Sequence, residues 1–225
     1  ELVAIASPGG LRARHAASRF GFAFATSDFD DILKEKSINT IAILTRHDSH
    51  SDLVVRALKA GRNVFVEKPL AITASQLTAI ERQLRAKNGG LLMVGFNRRF
   101  APLTRLLVEY FAGRLEALHA HYRVNAGFLP LQHWAQDPAQ GGRIVGEACH
   151  FVDLIAFLVG ASPMTVNAHA LPDGGKYRED NVSMTFTFPD GSVGVVDYLA
   201  NGDPSMPKER LEVSSSGKVA ILEDF

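Results

Sequence analysis

The stretch GRNVFVEKPLAI (61–72) decides the fold. Val64 to Val66 reads as a buried strand, and it runs straight into Glu67, Lys68 and Pro69 before the chain turns apolar again. Pro69 pushes its predecessor out of the helical region into extended backbone, so Lys68 is fixed where the strand ends. A lone acid–base pair between a buried strand and a rigid proline is either a group presented to a ligand or a surface lysine with Glu67 as a weak partner.

Outward from this strand the pattern repeats. LVAIA (2–6) ends at Ser7-Pro8-Gly9-Gly10, a helix follows from Leu11 to Phe20, and NTIAILT (39–45) and LLMVG (91–95) are further apolar runs. Helical patterns lie between them at about 50–60 and 73–87, the second opened by the capping-box spacing Thr73-x-x-Gln76. Such βα alternation predicts a Rossmann-type α/β parallel sheet over residues 1–112, with helices on both faces. Ligands of such sheets lie outside the carboxyl ends of the strands. That rule brings Ser7-Pro8-Gly9-Gly10, Thr45-Arg46-His47-Asp48 and Glu67-Lys68-Pro69 to one edge. The glycine fingerprint of dinucleotide folds, G-x-G-x-x-G, is absent, since neither Gly89-Gly90 with Gly95 nor Gly141-Gly142 with Gly146 has its spacing. The expectation is a first βα unit upstream of residue 1, leaving this sheet incomplete at its N-terminus.

Beyond residue 113 the grammar changes. LEALHAHYRVNA (115–126) alternates like a long strand, an apolar helix spans about 143–159, and SMTFTF, SVGVVDYLA, RLEVSSS and KVAIL follow as strands joined by turns such as Pro189-Asp190-Gly191 and Ser216-Gly217. Residues 113–225 are therefore predicted to form an α+β domain with an open, mostly antiparallel sheet. Arg143, Glu147, His150 and Asp153 recur along the helix as one polar stripe, which must face partners or a cavity. It forms either a closed ion-pair ladder, Arg143 with Glu147 and His150 with Asp153, or a site in which His150 is a general base. The alternating apolar positions of SMTFTF and SVGVVDYLA predict a homo-oligomer through the sheet.

Composition narrows the function. Basic and acidic side chains balance at 24 each, so no global field draws the protein to nucleic acid or a membrane. Cys149 is the single cysteine, which removes an internal disulfide and any cysteine-based zinc cluster and fits a cytoplasmic protein.

Together VFVEKPLA, VGFNRRFAP (94–102), TRHDSH (45–50) and GGRIVGEACHFVDL (141–154) resemble the Gfo/Idh/MocA family of NAD(P)-dependent oxidoreductases. TRHDSH with HWAQDPAQGGRIVGEACH (133–150) is similar to a subgroup often fused behind a zinc alcohol-dehydrogenase-like domain, and the family's last segment looks cut short after Phe225. The resemblance implies a hydride transferred between NAD(P) and a hydroxyl or carbonyl carbon of a sugar, polyol or related substrate, with Lys68, His150 and Glu147 as catalytic residues. Cofactor contacts are implied for Ser7, Arg12, Thr45, Arg46, His47, His50, Glu67, Lys68 and Pro69, and substrate contacts for Lys68, Asn97, Arg98, Trp134, Arg143 and His150. Arg98 and Arg99 are expected to anchor a hinge or reach the substrate, and His133 with Trp134 to form a sugar-stacking wall.

Two positions depart from the family. The common Asp four residues before His150 is Gly146, and Glu147 stands about 100° further round the helix as its replacement. An Asp that binds ribose hydroxyls is Ser7, with Arg12 and Arg14 nearby, which favours NADP over NAD. No metal is expected. Two alternatives stay open: a metal-assisted hydrolase using His47, Asp48, His50, Glu147 and His150, and a non-catalytic assembly protein of the same fold.

Overall fold

The computed structural model describes residues 1–86 and 90–224, so expectations touching Lys87, Gly89 and Phe225 lie outside the described residues. The chain divides into two compact units, residues 1–45 with 49–94, and residues 46–48 with the chain from Gly95 onward.

In the first unit β1 (Ala4–Ala6) pairs in parallel with β2 (Phe24–Thr26), while β3 (Thr40–Ile43), β4 (Asn63–Val66) and β5 (Leu92–Val94) form a second parallel set in that order. The helices are α1 (Gly10–Phe20), α2 (Phe29–Lys34), α3 (His47–Lys59) and α4 (Ala74–Leu84). The Rossmann-like alternation is as predicted, but β2 and α2 escaped the sequence reading because each is too short to show a period. Their local signal was the cap, where Asp28 accepts from the Asp30 backbone N–H at 2.8 Å. The capping box forms: Thr73 Oγ1 accepts from the Gln76 N–H at 3.3 Å, and Gln76 Oε1 accepts from the Thr73 N–H at 3.2 Å. Ile41, Ile43, Val64 and Val66 from the strands and Val54, Leu58 and Ile80 from the helices make the core.

The second unit opens with a 3-10 turn, Asn97–Phe100, and α5 (Pro102–Tyr110). Leu107 and Phe111 are buried in its core, so residues 95–112, expected to close the first domain, pack with the second. There follow β6 (His119–Asn125), α6 (Cys149–Val159), β7 (Thr165–Ala170), β8 (Asn181–Thr187), β9 (Val193–Leu199), β10 (Glu209–Ser215) and β11 (Lys218–Glu223). They form one sheet in the order β11-β10-β6-β9-β8-β7, antiparallel at every pairing except β6 with β9. The edge strand β7 was missed because TVNAHA is exposed along its whole length and carries no buried alternation.

Helix α6 lies on one face of this sheet, where Phe151, Leu154 and Ile155 join Tyr122, Val196 and Tyr198 in one core. Each such side chain contributes roughly 1.5–3 kcal/mol by leaving water. A Cβ at Gly194 would come within 2.7 Å of Ile155 Cγ2, so the glycine lets the helix approach the strand. The apolar positions of SMTFTF, Met184 and Phe186, belong to this core rather than to an outward face. The outer face instead carries rows such as His169, Ser183, Asp197, Arg123, Arg210 and Glu223, one residue from each strand.

The predicted helix 143–159 is not one regular helix. Ile144–Ala148 is a π-turn and the α-helix begins only at Cys149, so the angular spacing assumed for the polar stripe does not hold over its first half. Among the described residues no helix is long and apolar enough to cross a membrane.

Candidate active site

In the first unit the candidate residues gather at the carboxyl ends of parallel strands. The β3–β4 pairing continues one step beyond the strands, with the Glu67 N–H donating to the Ile43 carbonyl at 3.0 Å. Lys68 follows, half-buried, and the Lys68–Pro69 peptide is cis. His50 governs this backbone. It is 0% exposed, and its ring lies between two carbonyl oxygens, 2.7 Å from Pro69 O and 3.0 Å from Thr45 O. The residue implied as a cofactor contact is thus an internal brace that ties the loop after β3 to the loop carrying Lys68. Thr45 Oγ1 and Ser49 Oγ lie 2.6 Å apart at the start of α3.

At the end of β1 the Ser7 N–H donates to Thr26 O at 3.1 Å. Helix α1 starts after Gly9 with no side-chain cap and no acidic residue in its first turn, where Arg12 is exposed. The exposed Arg12 and the uncapped N–H groups of α1 suit an anionic group of a dinucleotide. The chain therefore supplies groups that fit part of NAD(P), while the pyrophosphate fingerprint is not in this sequence.

The second unit holds residues 46–48 as well as the helix. His47 Nδ1 lies 2.9 Å from Gln140 O, and the Asp48 N–H donates to Gln140 Oε1 at 3.3 Å. Arg46 sits over the Trp134 ring at 5.4 Å, and the His47 ring meets the same tryptophan edge-on at 5.2 Å. Trp134 is 39% exposed and remains available as a wall, whereas His133 is occupied as a cap, accepting from the Ala135 N–H at 3.2 Å.

His150 is 8% exposed and packs edge-on against Phe96 at 6.2 Å. Half of the expected ion-pair ladder exists, with Arg143 Nη2 to Glu147 Oε2 at 3.4 Å. The other half is taken differently: Asp153 receives Nε of Arg99 at 2.7 Å and a second guanidinium N–H beside it. Glu147, expected to replace the carboxylate missing at Gly146, turns to the sheet, where it accepts from Tyr198 Oη and from Lys208 Nζ at 3.3 Å. Burial acts to raise its pKa, but the Tyr198 hydroxyl, Lys208 and Arg143 outweigh it and hold the carboxyl below the usual range. Burial and the adjacent carboxylate push the Tyr198 phenol up.

Two residues implied as substrate contacts are committed to structure. Arg143 is 4% exposed and donates to Gly127 O at 2.7 Å, Ala126 O at 3.0 Å and Asp180 Oδ2 at 3.4 Å, pinning the loop after β6. Arg98 forms a two-pronged pair with the buried Glu209, through Nε at 3.1 Å, and Tyr122 Oη donates to the same carboxylate at 2.5 Å. Asn97 is exposed at the start of the 3-10 turn. The sequence reading missed Gln140, Glu209 and Asp180 altogether. A concavity of about 590 Å³, lined in part by Phe111, Leu115 and Phe157, holds none of the candidate residues. Among the described residues no group of three or more His, Cys, Asp or Glu is placed to hold a metal ion, so the proposed metal cluster of His47, Asp48, His50, Glu147 and His150 does not assemble.

Comparison with known proteins agrees with this architecture. The chain is 28% identical to levoglucosan dehydrogenase of Pseudarthrobacter phenanthrenivorans over 84% of its length and 56% of that protein's. It is 29% identical to inositol 2-dehydrogenase of Rhizobium meliloti over 97% of its length and 67% of that protein's. A solved levoglucosan dehydrogenase in complex with NADH and levoglucosan superposes with a TM-score of 0.82 at 27% identity, covering 98% of this chain and 64% of that one. The chain thus spans little more than half to two-thirds of the length of these relatives. Residues 1–96 match the model of an oxidoreductase family with an NAD-binding Rossmann fold, residues 100–217 match the GFO/IDH/MocA C-terminal domain, and the chain belongs to the GFO/IDH/MocA family.

Proposed function

We propose that this chain provides the catalytic residues of an NAD(P)-dependent dehydrogenase that interconverts a secondary hydroxyl and a ketone on a sugar or cyclitol. The observation that carries the reading is Lys68, set at the end of a buried parallel strand on backbone that the buried His50 braces. A bound nicotinamide would supply the acceptor for the hydride leaving the hydroxyl-bearing carbon. Lys68 lowers the cost of the alkoxide by its charge, and His150 takes the hydroxyl proton, becoming imidazolium as the ketone forms. Glu147 is a structural anion in this scheme, because three donors already hold its charge. Ser7, Arg12 and Arg14 favour the additional phosphate of NADP.

The relatives named above act on levoglucosan and inositol by their names, which supports a polyhydroxylated ring as the substrate class. Association of copies through the outer face of the six-stranded sheet is part of the proposal. That face mixes Val193, Val195 and Leu199 with charged rows, and none of these three is fully buried.

The test is turnover by the complete gene product with NAD and NADP against a panel of cyclitols and pyranoses. Reduction of nicotinamide with at least one of them is expected, with kcat/KM higher for NADP. Cofactor binding without turnover of any polyol would favour the assembly protein of the same fold. Sedimentation at micromolar concentration should show an oligomer that weakens with salt.

A further inference from the structure

In the second unit one ammonium group is held by ring faces alone. Lys176 Nζ lies over the Phe128 ring at 5.2 Å and over the Tyr177 ring at 5.1 Å, and the two rings meet edge-on with centroids 5.9 Å apart. Among the described residues Lys176 makes no side-chain hydrogen bond or ion pair, and the Tyr177 hydroxyl makes no hydrogen bond. Two π faces keep the cation in place without consuming its three N–H donors. Lys176 is exposed, Tyr177 is half-buried and Phe128 is 47% exposed, so all three face water.

The loops that carry these groups are built to fixed positions. Asp173 O accepts from the N–H groups of Lys176 and Tyr177, both at 3.0 Å, and Asp173 Oδ1 accepts from the Glu179 N–H at 2.9 Å. Gly174 and Gly175 take φ of 57° and 70°, and Glu179 is held at 47°, a conformation that a residue with a side chain keeps only where its surroundings enforce it. Arg178 Nη1 donates to Gln136 O at 2.7 Å, and Arg143 Nη1 donates at 2.7 Å to the carbonyl of Gly127, the neighbour of Phe128. Asp180 Oδ2 joins the two anchors, receiving Gln136 Nε2 at 2.8 Å and Arg143 Nη1 at 3.4 Å. Both loops are thus tied to Arg143, where the chain enters the segment that leads through the π-turn to α6 and His150.

An ammonium and a phenol that both donate, beside an exposed ring, match one kind of ligand. A carboxylate or phosphate accepts from both donors with charge assistance, while the C–H face of a sugar lies against an aromatic ring. We propose that Phe128, Lys176 and Tyr177 form a receptor for an acidic sugar, Lys176 and the Tyr177 hydroxyl donating to its anionic group and Phe128 meeting its ring. This narrows the substrate class of the dehydrogenase reading and rests on that reading, but its test is binding and needs no turnover.

The experiment is calorimetric titration of the complete gene product, with NADH present so that no hydroxyl is oxidised, using glucuronate, glucose and inorganic phosphate as probes. Glucuronate should bind about tenfold more tightly than glucose, the value of one charge-assisted hydrogen bond. Lys176→Met should bring the two sugars within about twofold of each other, and Lys176→Arg should keep most of the preference because the charge remains. Tyr177→Phe should weaken glucuronate about threefold, and Phe128→Ala should weaken glucuronate while leaving inorganic phosphate unchanged. Equal affinity for glucuronate and glucose, a preference that survives Lys176→Met, or inorganic phosphate binding as tightly as glucuronate, an adventitious ion only, would each overturn the proposal. Failure to reduce nicotinamide with any polyol would sink the dehydrogenase reading and leave these affinity ratios as they are, so the two failures are distinct.

Discussion

Lys68 and His150 are supported by two different kinds of scaffold. Lys68 stands on main chain: a parallel strand pairing, a proline, and one buried imidazole placed between two carbonyls. His150 stands on a helix whose setting depends on side chains, with Arg99 on Asp153 in its third residue beyond and Arg143, Tyr198 and Lys208 on Glu147 before it. A backbone-held group is insulated from most substitutions nearby. A group held through ion pairs transmits each of them, so losses around His150 should be graded and pH-dependent while those around Lys68 should be abrupt.

The largest expected effect tests the two groups themselves. Lys68→Met and His150→Ala should each lower kcat by roughly a hundredfold or more with little change in cofactor affinity, and the double variant should fall well short of the product of the two. Steady-state kinetics with melting temperatures on the same preparations decides it. A fully active His150→Ala enzyme with a lowered Tm would make the histidine structural. Next, His50→Leu should cost about 1–3 kcal/mol in urea unfolding, because two carbonyls lose a buried donor facing them, and should lower kcat as well by loosening the lysine loop. Loss of stability with kcat intact would break the claim that His50 braces Lys68. Arg99→Ala should cost about 1–2 kcal/mol, a buried-pair penalty reduced because the guanidinium is partly exposed.

The smallest effect concerns Glu147 and has a definite sign. Its carboxyl titrates below the ordinary glutamate value of 4.5, so it contributes stability that is present above that value and is lost as pH falls through the lower folded value. Unfolding followed from pH 6 down to about pH 3 should show a steeper fall for the native protein than for Glu147→Gln, by under about 1 kcal/mol. Parallel curves would mean that the Tyr198, Lys208 and Arg143 cluster does not govern the carboxylate.

The strand-end candidates of the first unit were legible in the sequence because their determinants are local. A short apolar run, a charge pair and a proline within a few residues place Lys68 without knowledge of anything distant. The candidates of the second unit were legible only in outline. Arg98 finds its carboxylate 111 residues away in Glu209, and Arg99 finds Asp153 at a distance of 54, so neither role could be read from neighbours in sequence. The π-turn at Ile144–Ala148 also defeats any reading that assumes 100° per residue. Position 146 looked like a lost carboxylate, and the close approach of the His47 ring to it is something no spacing rule announces.

The parallel pairing of β6 with β9 bears on how the second unit comes into being. In that pairing His119 meets Val193, 74 residues later in the chain, and the other neighbour of β6 is β10, in which Ser214 pairs with the same histidine. The strand at the middle of the sheet is therefore made first and must wait for both of its flanks. Until residues near 215 have been synthesised, α6 has only part of a sheet on which to bury Phe151, Leu154 and Ile155. Contacts so remote in sequence slow folding, and an apolar helix exposed in the interval is a natural target for chaperones during translation.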